Sequence, residues 1–238
     1  VYATPDQLPG QSVVKFLPTA RVTVLATQPG REFGLAQSLR ESGFVAGLNL
    51  RAHAFEVPND PFYSPYQWHL TRVQSEQVWG ATGDGTDVIV AVLDTGLATS
   101  GANDGIGCVQ VGYDVVNGDN VPFDGDGHGT HVSGTIAQAT DNGVGTAGLA
   151  FGACVMPVKV LNDSGSGSFA DIAEGIYWAV DHGASVINMS LGTNARFAIT
   201  NDPIMDPALD YADAHDVTVV CASGNDGNRS NVSYPAIY

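Results

Sequence analysis

What most limits the fold of this chain is a series of short apolar runs in which valine and isoleucine follow one another without alternation. They are Asp87–Leu93, Val109–Val116, Val155–Leu161, Ala184–Met189 and Val217–Cys221. A strand with one wet face alternates apolar and polar residues, whereas a strand covered on both faces does not, so these runs read as the strands of a buried parallel sheet. Between them, His128–Ala139 and Phe169–His182 carry helical patterns, and Gly183 closes the second at a C-terminal cap. The expected class is α/β, a three-layer arrangement with helices on both faces of the sheet.

Residues 11–56 follow another rule. A strand is expected at Ser12–Phe16, a second at Arg21–Ala26, a short helix at Glu32–Arg40 and an extended stretch to Phe55, which together make a small α+β piece. The linker Pro58-Asn59-Asp60-Pro61 follows, so the expected organisation is a small segment at 1–56 and a main domain at 57–238. Charge changes at the same place. The whole chain carries 25 acidic and 9 basic residues, a net charge of −16, yet residues 1–56 hold five basic against four acidic ones. The acidity of the main domain disfavours nucleic acid or an anionic membrane as a partner. No apolar run approaches the roughly 20 residues of a membrane-spanning helix. Val1 is not an initiator methionine and Tyr238 falls inside a patterned segment, so both ends are expected to be cuts, and a missing leader says nothing about secretion. The three cysteines allow one disulfide and a thiol, or three thiols.

Three segments carry chemistry. The run Val88–Leu93 ends in Asp94-Thr95-Gly96, which puts a carboxylate at the C-terminal end of a buried strand, where open α/β sheets build their sites; an Asp that only caps a turn would look the same. In Asp124-Gly-Asp-Gly-His128-Gly-Thr-His131-Val-Ser-Gly134, a histidine leaves a glycine-rich turn and enters a helix of small residues. His128 and His131, three apart, are compatible with a metal, but no third soft ligand lies nearby. In Val217-Thr-Val-Val-Cys-Ala-Ser-Gly-Asn225, a strand runs into a side-chain amide that could donate to an oxyanion or simply tolerate a left-handed turn.

Leu93-Asp94-Thr95-Gly96, His128-Gly-Thr-His131-Val-Ser-Gly134 and Ala222-Ser-Gly-Asn225, in this order and spacing, resemble the subtilisin family of serine endopeptidases, particularly its thermitase-like members. The resemblance implies that Asp94 orients His128, that His128 is the general base and then acid, and that Asn225 donates to the oxyanion hole. It implies that Ser190-Leu191-Gly192 and Ala222-Ser223-Gly224 are the walls around a bound peptide, and that His131 is structural. The family's serine lies in a Gly-Thr-Ser-Met-Ala-type motif, and no such motif occurs in these residues, so the fragment is expected to be inactive as it stands. Calcium is the cofactor implied, held by Asp60, Asp104 and Asn142 in one site and by Asp114, Asn117 and Asp119 in another, where Phe123 replaces a frequent polar ligand. Residues 11–56 resemble the end of a propeptide, a chaperone and inhibitor of its own peptidase, removed by self-processing near residues 53–57. A Cys108–Cys154 disulfide with Cys221 as a buried thiol, polypeptide substrates, secretion and a monomeric state complete the expectations.

Three other readings compete. Asp94-Thr-Gly96 and Asp163-Ser-Gly165 could be the two loops of an aspartic protease, though this leaves the His128 and Asn225 motifs without a role. Gly165-Ser-Gly167-Ser-Phe-Ala170 loosely fits a dinucleotide fingerprint, but the next strand ends in Asn188 and Met189 instead of an acid. A non-catalytic scaffold of the same family is the third.

Overall fold

A computed structural model describes residues 1–49, 57–98, 104–193, 199–225, 227 and 232–238. The chain divides into two compact units, Val1–His53 and Ala54–Tyr238.

In the first unit, β1 (Ser12–Leu17) and β2 (Val22–Ala26) form an antiparallel hairpin, and α1 (Glu32–Glu41) follows. The hairpin turns where the Arg21 amide donates to the Pro18 carbonyl at 3.2 Å, with Arg21 at φ 54°. Leu39 of α1 packs with Ala3, Leu8 and Ala46 over Leu25 of β2, a core too small to cover β1, whose Val13 and Val14 stay exposed. The expected extended stretch beyond residue 49 and the expected processing boundary lie outside the described residues.

The second unit is built on a parallel sheet of six strands. These are β3 (Ile89–Asp94), β4 (Cys108–Val109), β5 (Tyr113–Asp114), β6 (Cys154–Lys159), β7 (Val186–Met189) and β8 (Thr218–Cys221), in the spatial order β4-β6-β3-β7-β8 with β5 also beside β6. Successive side chains of β3 point to opposite faces. Val90 and Val92 join Val155 and Ala137 under α5 (His128–Ala137), while Ala91 and Leu93 join Ile176, Ala179, Met205 and Ala208 under α6 (Phe169–Asp181) and α7 (Met205–Ala214). Both faces are therefore apolar, which is why the sequence of this strand does not alternate.

The expected strand Val109–Val116 is broken into two short pieces, β4 and β5. Between them a Cβ at Gly112 would overlap the Pro157 carbonyl oxygen, so the backbone passes β6 at a distance only glycine permits. Helix α6 begins with a capping box: the Asp171 amide donates to Ser168 Oγ at 3.1 Å, and the Ser168 amide donates to the Asp171 carboxylate at 3.4 Å. Gly183, at φ 85°, stands just past its end. Cys108 and Cys154, neighbours in the parallel register of β4 and β6, form a disulfide, and Cys221 on β8 is a free thiol pushed up to about 11 by burial.

Candidate active site

The C-terminal ends of β3 and β6 and the N-terminus of α5 meet at one place. Asp94, the last residue of β3, is wholly buried, and its Oδ1 accepts a hydrogen bond from the Thr95 amide at 2.7 Å. His128, the first residue of α5, brings Nδ1 to 2.7 Å from Asp94 Oδ1 and 3.0 Å from Oδ2. The imidazole is half exposed while its carboxylate partner is not. A buried anion is costly unless charge-assisted donors satisfy it, so Asp94 fixes the ring with Nδ1 as the donor and leaves Nε2 toward the cleft.

Glycine makes the approach possible. Gly127 caps α5 in the left-handed region at φ 108°, turning the chain into the helix just before His128. At Gly129 a Cβ would overlap the Gly96 carbonyl oxygen, so the first turn of α5 can press against the Thr95–Gly96 turn only without a side chain there.

Asp124 ties these pieces together. Its Oδ1 accepts from the Thr95 hydroxyl at 2.8 Å, the Gly127 amide at 2.8 Å and the Asp126 amide at 3.1 Å. Its Oδ2 accepts from the Thr130 amide at 2.9 Å and the Thr130 hydroxyl at 2.5 Å. Burial alone would raise this carboxyl; the Thr130 hydroxyl, then the Gly127 and Thr130 amides and the Thr95 hydroxyl, outweigh it and hold the group down at about 2. Within the motif Asp124–Gly134, the sequence alone assigns Asp124 no role. Its signal was an Asp four residues ahead of a helix start and six ahead of Thr130.

A cleft of about 450 Å³ opens beside His128. Ser190, Leu191 and Gly192, expected as peptide walls, line it, together with Leu161, Phe169, Ile172, Met205 and Tyr234. These apolar residues come from separate elements, and no local pattern marks them as a set. Ala222, Ser223, Gly224 and Asn225 follow β8 and are exposed. The Ser223 carbonyl accepts from the Ser233 amide at 3.0 Å, and among the described residues no hydrogen bond joins Asn225 to the Asp94–His128 pair. His131 is exposed one turn into α5.

The proposed metal ligands separate into two kinds of surroundings. Asp60 is only 3% exposed, and its Oδ1 is buried with no partner among the described residues, while Oδ2 accepts from the Asp141 amide at 2.8 Å. Asp104 accepts from the Asn142 side chain at 3.0 Å and from the Thr146 amide at 3.1 Å. A Cβ on Gly145 would overlap the Asp104 carboxylate, so residues 139–146 wrap closely around it. The orphaned buried oxygen and the hard oxygen donors fit a calcium ion. In the second set both oxygens of Asp114 are taken by Asn117, through its amide at 2.9 Å and its side chain at 2.8 Å, and Asp119 accepts from the Val121 amide at 2.8 Å. Among the described residues that loop holds no buried oxygen left without a partner, as Asp60 Oδ1 is in the first set. Among the described residues, no group of three or more His, Cys, Asp or Glu side chains is arranged for a metal.

Neither distant rival matches this geometry. Asp163 is paired with Lys159 at 2.8 Å rather than with Asp94, and the sheet is parallel, so a dyad of carboxylates sharing a proton is absent. Ser168, in the loose dinucleotide fingerprint, spends its hydroxyl on the cap of α6.

The parallel α/β sheet thus carries a buried carboxylate hydrogen-bonded to an imidazole beside a cleft at its C-terminal edge, where open sheets of this kind build their sites. Comparison with known proteins narrows the class. Residues 85–238 match the model of the subtilase family, peptidase family S8, and the chain belongs to that family. It is 39% identical over 182 residues to thermitase of Thermoactinomyces vulgaris, covering 76% of this chain and 62% of that protein. With subtilisin Savinase of Lederbergia lenta it shares 42% over 171 residues, covering 72% and 60% respectively. A solved structure of proteases from Pseudoalteromonas arctica superposes with a TM-score of 0.63 at 32% identity, over 74% of this chain and 62% of that one. The chain thus spans about three-fifths of the length of these relatives.

Proposed function

We propose that this chain contributes the acid–base half of a serine endopeptidase that cleaves polypeptides. The observation that carries the reading is the 2.7 Å contact between the buried Asp94 and the cleft-facing His128. With Nδ1–H held by Asp94, His128 Nε2 takes the proton of an attacking hydroxyl and returns it to the leaving amine, while the buried carboxylate steadies the transient imidazolium. The nucleophilic serine is supplied from outside residues 1–238, because the family's serine motif does not occur within them. Asn225 donates its side-chain amide to the oxyanion. Ser190–Gly192 and Ala222–Gly224 flank the substrate backbone, the first of them in the same cleft as His128.

Calcium binds at Asp60, Asp104 and Asn142 and neutralises carboxylates in a chain that carries −16; it takes no part in the chemistry. The first unit acts as the end of a propeptide that inhibits its own peptidase until cleavage near Val57. Secretion is supported by relatives such as the minor extracellular protease of Bacillus subtilis, and no helix among the described residues is long and apolar enough to cross a membrane. The working unit is a monomer.

The test is to extend the chain with the downstream sequence of its gene. The extended protein should hydrolyse peptides, be labelled by a fluorophosphonate and lose activity in His128→Ala, whereas the 238-residue chain should neither hydrolyse peptides nor be labelled. Labelling of the unextended chain would place the nucleophile elsewhere and overturn the assignment. Full inertness of the extended protein would favour the non-catalytic scaffold.

A further inference from the structure

Lys159 is the buried cation among the described residues, with only 4% of its side chain exposed. Taking an ammonium out of water costs several kcal/mol unless its partners compensate, so its position asks for a reason. It ends β6, directly opposite Asp94 in the parallel register. Its Nζ donates to the Thr95 carbonyl at 2.6 Å and to Asp163 Oδ1 at 2.8 Å.

Thr95 joins Asp94, Asp124, the start of α5 and Lys159. Its amide donates to Asp94 and its hydroxyl donates to Asp124 while accepting from the Gly129 amide at 2.9 Å. Lys159 holds the remaining polar group of Thr95, the carbonyl, and so fixes the peptide that leads into Gly96, itself at φ 114°. Asp163 reaches the other side of the site. A Cβ on Gly125 would overlap its carboxylate, so the ion pair lies against the loop that delivers His128.

We propose that Lys159, with Asp163 as its counter-ion, is a positioning residue that locks Thr95 and sets the proton affinity of His128 by its charge. This rests on His128 being the base of the peptidase. Among the described residues, the charged or titratable groups around the imidazole are Asp94 from β3, Asp126 from the preceding loop, whose Oδ1 accepts from the His128 amide at 3.1 Å, Asp124 beneath the helix start, His131 on α5 itself, and Tyr234 across the cleft. The negative groups in this set all favour imidazolium; Lys159 opposes them.

The two members of the ion pair therefore act in opposite senses on His128, and this separates charge from mere packing. In the 238-residue chain, the titration of the His128 ring nitrogens is followed by NMR in Lys159→Met and Asp163→Asn. Loss of the buried ammonium should move the midpoint up, and loss of the carboxylate should move it down by less, because the Asp163 side chain is 65% exposed and its charge is screened. Two unmoved midpoints, or two shifts of the same sign, would overturn the proposal. Should Lys159→Met fail to fold, Asp163→Asn decides alone, and an unmoved midpoint in it is sufficient to reject the role. Asp94→Asn distinguishes this from the peptidase reading: its midpoint should fall, and if it does not, the Asp94–His128 pair is at fault, whatever Lys159 and Asp163 do.

Discussion

Replacing Asp124 by Asn should destabilise the second unit in a pH-dependent way. The carboxylate holds its proton only below about 2 in the folded chain, against an ordinary value of 3.8. A folded value below the unfolded one means that stability is fully present above about pH 4 and is lost as pH falls toward 2; the linkage amounts to about 2 kcal/mol. Asn keeps one acceptor oxygen for a site that now receives five donors, so one donor set, on Thr130 or on Thr95 and Gly127, is left without its charge-assisted partner. The expected loss is about 2 to 3 kcal/mol at pH 7, or a drop in melting temperature of about 5 to 10 °C for a unit of this size. Urea unfolding of wild type and Asp124→Asn at pH 7, 5, 4, 3 and 2.5 measures it, and the difference between the two isolates this group from every other carboxylate that titrates in the range. The gap should be constant from pH 7 to 5 and close as the pH falls toward 2.5. A gap that does not change with pH would refute the claim that ionised Asp124 organises the His128 loop.

Calcium should raise the melting temperature of wild type by several degrees over chelator, and Asp60→Ala should abolish most of that rise, since its orphaned Oδ1 is the acceptor waiting for a partner; equal rises in both proteins would remove Asp60 from the site. Cys108→Ser with Cys154→Ser should lower stability by about 4 kcal/mol, the chain-entropy value for a bridge across 46 residues. Peptide mapping without reductant should recover the two cysteines as one linked pair and Cys221 alkylated alone; free alkylation of all three would reject the bridge.

The sheet was legible because burial on both faces writes itself directly into composition: β3, β6, β7 and β8 each lie within or beside a run rich in apolar residues. The run Val109–Val116 misled for a physical reason, since its apolar residues describe burial but not the close passage at Gly112 that interrupts pairing. Helix α7 escaped notice because Met205-Asp-Pro-Ala-Leu-Asp carries a proline in its first turn, where it costs no hydrogen bond, yet in a sequence scan the same residue reads as a break. The helices α2 (Tyr63–Tyr66), α3 (Trp68–Arg72) and α4 (Ser75–Thr82) are too short to show a period at all.

At the site, the residues with unusual chemistry were legible and the residues that hold them were not. Asp94 and His128 announce themselves because an acid closing an apolar strand and a histidine between glycines are both locally out of place. Thr95 and Lys159 are ordinary in the same scan: a threonine after a strand and a lysine ending one are normally solvated. Their roles come from register, which puts Lys159 opposite Asp94 across two strands 65 positions apart in sequence and turns its Nζ under the Thr95 carbonyl instead of into water. A sequence records which residue must be buried far better than which polar atom a buried residue must reach. For this chain, that second kind of information decides whether the Asp94–His128 pair is held in a working geometry.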